Sequence, residues 1–204
     1  EPDLIHIPVM GNRISISDLD TIIPLCERSD VVICGPGLGT RSHDVVTALA
    51  PYAKKGVFDA DSLRAPLPHA EDSLYTPHTG EFTRITGSDP GITPYDRAKA
   101  IQKAGVHGTI LLKGQVDVIS DGTRVRFNQT GTPAMTTGGT GDVLAGVCAA
   151  LMVSLLAFET ACIGAYATGR AGEIVTRRFG YGLTARDLLT AIPQVLFGRT
   201  LEGE

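Results

Sequence analysis

The feature that most limits the fold is a short apolar run, Val31-Val32-Ile33-Cys34, halted by Gly35-Pro36-Gly37-Leu38-Gly39. A strand that is apolar at every position suits a sheet covered on both faces, because neither side can be left wet. Ser42 is placed to cap a helix expected to run to about Lys55, with Val45, Val46, Leu49 and Tyr52 along one side. Gly56 is expected to end it, and Val57-Phe58 starts a second strand that ends in Asp59-Ala60-Asp61. Strand, glycine turn, helix, strand is a βαβ unit, which commits the chain to a parallel sheet.

The rhythm continues. Leu74-Tyr75-Thr76-Pro77 reads as a strand ending, Thr79 to Thr86 and Pro94 to Ala104 as helices, and Thr109 to Lys113 as a strand. Val116 to Ser120 and Thr123 to Phe127 flank Asp121-Gly122, a pair that predicts a two-residue type I′ hairpin. Asn128 to Gly141 reads as a polar loop rich in Gly and Thr. Helices are expected from Asp142 to about Ala157, from Ala161 to Arg178, and from Thr184-Ala185-Arg186-Asp187 onward, before a polar tail. The first 30 residues suggest only a short helix near Asp18, Asp20 and Pro24. With no repeat or linker, the expectation is one domain over 1–204, of the α/β class, with a mostly parallel central sheet and a late antiparallel hairpin.

Composition sets the outer limits. The 204 residues are 43% hydrophobic and 20% charged, which excludes disorder as the main state. A net charge of −4 gives no global electrostatic reason to bind nucleic acid or an anionic membrane. A glycine-rich hollow can still hold a phosphate without a basic surface. The uncharged run 143–158, about 16 residues, falls short of the ~20 needed to span a bilayer, so it is read as a buried core helix. Nothing at the start reads as a signal peptide. Cys26, Cys34, Cys148 and Cys162 form no C-x-x-C pair and read as small buried hydrophobes in a reducing cytoplasm.

In an open α/β sheet, ligands bind beyond the carboxyl ends of the strands. Five polar or glycine-rich segments follow expected strands there: 35–40, 59–62, 76–81, 113–114 and 128–142. The sharpest is Thr136-Thr137-Gly138-Gly139-Thr140-Gly141-Asp142, directly before an apolar helix. Its glycines let amides converge, and the helix start adds about half a positive charge, so a phosphoryl group fits. Asp142 stands beside that hollow, where a carboxylate can accept a proton from a substrate hydroxyl. The simpler alternative is an aspartate that stabilises a helix N-terminus. Gly35 to Gly39 approaches a dinucleotide fingerprint, but its third glycine comes one residue early. His78 and Glu81 follow a strand, and Lys113 can meet a phosphate as a point charge. There is no G-x-x-x-x-G-K-[ST], so a P-loop is excluded.

Five motifs occur in order: Gly-Pro-Gly-Leu-Gly at 35–39, Asp-Ala-Asp-Ser-Leu at 59–63, Thr-Pro-His-Thr-Gly-Glu at 76–81, Leu-Lys-Gly at 112–114 and Thr-Gly-Gly-Thr-Gly-Asp at 137–142. Together, over roughly residues 31–190, the chain resembles the ADP-dependent NAD(P)H-hydrate dehydratases, a carbohydrate-kinase-like branch of the ribokinase-like fold. The resemblance implies repair of hydrated NADH or NADPH: ADP, or ATP in some members, phosphorylates the ring hydroxyl with Mg²⁺, and phosphate is then eliminated. It implies Asp142 as general base, in contact with the hydrated ring, and Gly139, Thr140 and Gly141 as the anion hole. It implies Gly37, Gly39 and His78 on the hydrated dinucleotide. It sets Lys113, Gly114, Gln115, Val116 and Asp117 against the AMP part, with Gly141 near the nucleotide and Asp59 and Asn128 as more distant contacts.

The family usually carries Thr where this chain has Asp117, and Gly131-Thr132-Pro133-Ala134-Met135 replaces its Gly-Asn-Pro-Gly-Met. Family domains usually begin some tens of residues before the position of Glu1, commonly form homo-oligomers, often tetramers, and are often fused to an epimerase domain. Two other readings stand beside the repair enzyme: a small-molecule kinase of the same fold, of the hydroxyethylthiazole type, and a shortened non-catalytic nucleotide-binding subunit.

Overall fold

The computed structural model describes residues 5–9 and 11–198. Six strands form one sheet: β1 Val32–Cys34, β2 Lys55–Phe58, β3 Asp72–Tyr75, β4 Thr109–Leu112, β5 Asp117–Ser120 and β6 Val125–Asn128. They lie side by side in chain order. The first four are parallel, and β5 and β6 are antiparallel additions. Among the described residues seven α-helices accompany them: α1 Leu19–Arg28, α2 His43–Leu49, α3 Thr79–Thr86, α4 Pro94–Ala104, α5 Thr140–Met152, α6 Ala157–Phe179 and α7 Ala185–Phe197. The polar tail, 199–204, lies outside the described residues.

Alternation along the strands sorts the core into two layers. Phe58, Tyr75, Ile110, Leu112 and Val118 face one side, where Val46 of α2, Phe82 of α3 and Ala98 and Ile101 of α4 meet them. Val57, Leu74, Leu111 and Ile119 face the other, against Leu144, Cys148 and Met152 of α5 and Phe158, Ala161 and Ala165 of α6. Helices on both faces are what the continuous apolar strands required. A third cluster joins α6 to α7 through Ala171, Val175, Leu188 and Ile192.

Three boundaries differ from expectation. The helix after the first glycine turn stops at Leu49, and a 3-10 turn, Ala50–Tyr52, follows it. Pro51 has no N–H for the next helical bond and its ring crowds the carbonyl one turn back. Gly56 therefore lies inside β2, where a Cβ would come within 2.6 Å of the Phe58 ring. The hairpin is wider than two residues, because Ser120 pairs with Val125. The Asp121 carboxylate organises the loop, accepting from the backbone N–H of Thr123 at 3.0 Å and of Arg124 at 2.7 Å.

The uncharged run 143–158 is not one helix. It breaks after Met152, and α6 starts at Ala157. Distant residues stabilise the break: Lys55 Nζ donates to the carbonyls of Met152 (2.8 Å) and Leu155 (3.0 Å), and Asp72 accepts from the Ala157 N–H (3.0 Å). No helix among the described residues is long and apolar enough to cross a membrane.

The register fixes where chemistry can happen. Cys34, Phe58, Tyr75 and Ile110 lie in one row, so four parallel strands release their chains at one edge. Because β5 and β6 are antiparallel, Asp117 opens β5 and Asn128 closes β6 at that same edge.

Candidate functional site

The helix α5 starts at this edge without a side-chain cap. Its N-cap is Gly139, at φ +90°, a left-handed conformation that a residue with a Cβ adopts only under strain. The first-turn amides of an α-helix have no intrahelical partner. Here no capping side chain takes them, and the dipole adds positive potential at the same point. Thr140 turns its hydroxyl back to the carbonyls of Met135 (2.8 Å) and Thr137 (3.0 Å), which ties the start of α5 to the preceding loop. Asp142 is exposed and has no hydrogen-bond or ion-pair partner among the described residues. It makes no capping hydrogen bond, but it lies in the first turn of α5, where its charge also favours the helix N-terminus.

Lys113 lies beside the hollow. A Cβ on Gly141 would be 3.6 Å from Lys113 Nζ and 3.8 Å from Asp59 Oδ2. Lys113 Nζ donates to Asp59 Oδ1 at 2.9 Å, and Glu81 Oε2 is 4.0 Å away. The Asp59 side chain is only 3% exposed, so this pair is largely withdrawn from water. Two carboxylates and one ammonium thus gather at the mouth of the anion hollow.

Glu81 also builds the start of α3. It accepts from the His78 N–H at 2.8 Å, and its own N–H donates to His78 Nδ1 at 3.2 Å, a reciprocal cap. With Nδ1 assigned as acceptor by this network, a neutral imidazole carries its proton on Nε2. The ring is 61% exposed and Nε2 lies 3.5 Å from Glu81 Oε1. His78 is thus held at both ring nitrogens near Glu81, with its ring largely exposed at the strand edge.

The first glycine turn serves two purposes. Gly35, at φ +126°, is packed so closely on Asp59 that a Cβ would overlap the Asp59 carbonyl oxygen. Gly37 and Gly39 have open space instead. The Gly39 N–H donates to Asp61 Oδ2 at 2.9 Å, which ties this turn to the segment after β2.

The segment 113–117 closes on itself. Asp117 Oδ1 accepts from the Gly114 N–H at 3.0 Å and Oδ2 from Asn128 Nδ2 at 2.9 Å. Burial pushes the Asp117 carboxyl up from its usual value, against the pull of the Asn128 and Gly114 donors, Arg97 and Lys113. Gly114 and Gln115 are exposed and Val116 half-buried. Asn128 meets this segment through Asp117, while its carbonyl oxygen accepts from the Thr130 hydroxyl at 2.8 Å.

Among the described residues no three His, Cys, Asp or Glu side chains form a metal cage. The donor set fits Mg²⁺ held mostly by phosphates and water, with Asp59 and Glu81 as the nearby protein oxygens. The cysteines are unpaired. Burial pushes the Cys34 and Cys148 thiols up to about 12, which makes them poor nucleophiles.

The residues singled out in the sequence thus share one edge of the sheet. The sequence does not single out Arg97 or the anchoring of the loop 129–136 on α6, and it marks Asp61 only within the segment 59–62. Thr130 donates to the Tyr166 carbonyl at 3.3 Å, and the Gly131 N–H donates to Glu173 at 3.0 Å. Gly169 and Gly172 make room, since a Cβ there would overlap Thr130 and Met135. Their spacing of three in a helix was the available signal.

A family model described as NAD(P)H-hydrate dehydratase matches residues 3–194. The bifunctional NAD(P)H-hydrate repair enzyme Nnr of Methanospirillum hungatei JF-1 is 71% identical over 204 residues, covering 100% of this chain and 43% of that protein. The chain spans about two fifths of the length of the repair enzymes it matches. The ADP-dependent (S)-NAD(P)H-hydrate dehydratase of Cenarchaeum symbiosum is 45% identical over 206 residues, 96% of this chain and 72% of that protein. The ADP/ATP-dependent NAD(P)H-hydrate dehydratase from Bacillus subtilis, co-crystallized with ATP/Mg²⁺, superposes with a TM-score of 0.71 at 28% identity, over 82% of this chain and 64% of that one. The α/β architecture is accordingly ribokinase-like. With the family model matching residues 3–194 of the chain, and a 45% identical relative of which it covers 72%, the chain belongs to the NAD(P)H-hydrate dehydratase family.

Proposed function

We propose that the chain dehydrates the S form of hydrated NADH or NADPH at the expense of ADP, restoring the reduced dinucleotide with release of AMP and phosphate. The observation that carries this reading is the exposed Asp142 carboxylate, without a partner among the described residues, in the first turn of α5, whose N-cap offers no side-chain hydrogen bond. Asp142 takes the proton of the ring hydroxyl as its oxygen bonds to the phosphorus of the transferred phosphoryl group. The P–O bond to AMP breaks; phosphate later leaves the ring with the C–O bonding pair, and the adjacent ring carbon gives up a proton to water so that its C–H pair re-forms the ring double bond. The amides of Gly139, Thr140 and Gly141 face the charge that develops on the phosphoryl oxygens, and Lys113 adds a cation whose Nζ would be 3.6 Å from a Cβ added to Gly141. When bound, Mg²⁺ neutralises further phosphate charge, with Asp59 and Glu81 as the protein oxygens nearest to it.

In this reading His78 donates from Nε2 to the hydrated dinucleotide, and the open turn at Gly37 and Gly39 receives its backbone. Residues 113–117, with Asn128 behind Asp117, border the AMP part. The four free thiols suit a reducing cytoplasm. A single ribokinase-like domain and assembly as a homo-oligomer, a tetramer by family habit, complete the proposal.

The test is recovery of absorbance at 340 nm from purified hydrated NADPH with ADP and Mg²⁺. ADP-dependent recovery with equimolar AMP supports the reading. Phosphorylation of hydroxyethylthiazole without recovery would point to the kinase instead. Nucleotide binding without turnover of either substrate would point to a non-catalytic subunit.

A further inference from the structure

We infer that Arg97 is a positioning residue for nucleotide use, its guanidinium holding the backbone of residues 112–116 in a nucleotide-ready shape. The inference rests on the reading of residues 113–117 as the nucleotide-bordering segment.

Arg97 lies in the first half of α4 and is 7% exposed. A buried guanidinium is costly unless its donors are used, and of the Arg97 donors the buried Nε–H has no partner among the described residues. Here Nη2 donates to the carbonyls of Lys113 (2.7 Å) and Leu112 (3.4 Å), and Nη1 donates to the Val116 carbonyl (3.1 Å). All three acceptors belong to one short stretch of chain, and none is a carboxylate. Gly114 sits between them, and a Cβ on Gly114 would overlap Nη1. The segment is therefore moulded on the guanidinium from below, while Asp117 holds the Gly114 N–H from the other side.

The same contact orients the site lysine. The Lys113 N–H is fixed to the Pro77 carbonyl at 2.8 Å and its carbonyl to Arg97, which leaves the side chain directed to Asp59 and the hollow. Core packing alone does not call for this arrangement, because the Lys113 and Val116 carbonyls lie in a partly exposed turn that water could solvate, and only the Leu112 carbonyl is buried. A planar fork spanning three carbonyls fixes a shape, and a lysine has no such fork.

The experiment measures ADP affinity by calorimetry, KM for ADP and for hydrated NADPH, kcat, and Tm. Wild type is compared with Arg97→Lys, Arg97→Met, Gly114→Ala and the Arg97→Met/Gly114→Ala double variant. ADP affinity should weaken at least about tenfold in both Arg97 variants, with KM for hydrated NADPH changed by less than about twofold. Lysine should not rescue. Gly114→Ala should weaken ADP binding as well, and the double variant should lose less than the product of the two single effects, because methionine frees the space the new Cβ needs. If Arg97→Met does not fold, Arg97→Lys and Gly114→Ala carry the comparison. Folded Arg97 variants that bind ADP within twofold of wild type overturn the inference. So does a parallel loss of ADP and dinucleotide affinity that merely tracks Tm. A wild-type chain that binds no ADP overturns the underlying reading of 113–117, and the inference with it.

Discussion

At the residue scale the account turns on what is left unpaired. Most polar side chains at the strand edge are engaged: Asp59 with Lys113, Glu81 with His78, Asp117 with Gly114 and Asn128, Thr140 with its own loop. Asp142 has no such partner among the described residues. Asp142→Asn keeps the shape and removes the base, so it should lower kcat by about 10²–10⁴ while nucleotide affinity and Tm stay close to wild type. Steady-state recovery of NADPH measures this, and an unchanged kcat removes the assigned role. Gly139 tests the hollow itself. Alanine there must hold φ near +90° and meet Ala185 Cβ at 3.1 Å. The left-handed backbone costs roughly 1–2 kcal/mol. In a domain of this size, Tm should fall by roughly 2–8 °C, read by calorimetry. These glycines were legible in the sequence because backbone conformation is a local property. The Lys113–Asp59 pair was not, since it joins positions 54 residues apart.

Elements were legible where their ends are written locally. The helix α3 runs from the His78 cap to Gly87, and α4 from Thr93 and Pro94 to Gly105, both as read from the sequence. Pro51 is a local stop as well, and it outweighs the apolar spacing that suggested a longer α2. The break between α5 and α6 has no local mark of that strength. It depends on Lys55 and Asp72, which only the folded sheet brings there. The hairpin shows a third case, a side chain overriding the turn that its dipeptide favours.

That hairpin makes a pH prediction. Burial tends to raise the Asp121 carboxyl, but donors from Arg124 and Thr123 outweigh it and hold the group well below the usual carboxylate range. A carboxylate depressed in the folded state contributes stability above its unfolded value, about 3.9, and loses it as pH falls through the lower folded value. Asp121→Asn should therefore lower Tm near neutral pH, and the difference from wild type should shrink as pH is taken below about 4. A difference that stays constant from pH 7 to the acid limit contradicts the assignment. The α6 glycines make a packing prediction. Gly169→Ala drives a Cβ into Thr130, including its backbone carbon and oxygen at 2.8 Å, so the loop leading to the hollow must shift. Tm and ADP-dependent turnover should fall together, checked by calorimetry and the 340 nm assay.

At the scale of the whole molecule, one edge of one sheet gathers what the sequence spreads from Gly35 to Asp142. Parallel strands deliver four loops to it, the antiparallel pair returns Asp117 and Asn128 to it, and α5 points its N-terminus at it. The central claim is that the amides of 139–141 hold the transferred phosphoryl group while Asp142 faces the acceptor hydroxyl. A crystal structure of the chain with ADP, Mg²⁺ and hydrated NADPH, in the Asp142→Asn background to slow turnover, tests it most directly. The account predicts the terminal phosphate of ADP about 2.7–3.1 Å from those backbone nitrogens, with the ring hydroxyl in reach of residue 142. A terminal phosphate seated instead at the Gly35–Gly39 turn, or a ring hydroxyl far from residue 142, would contradict it.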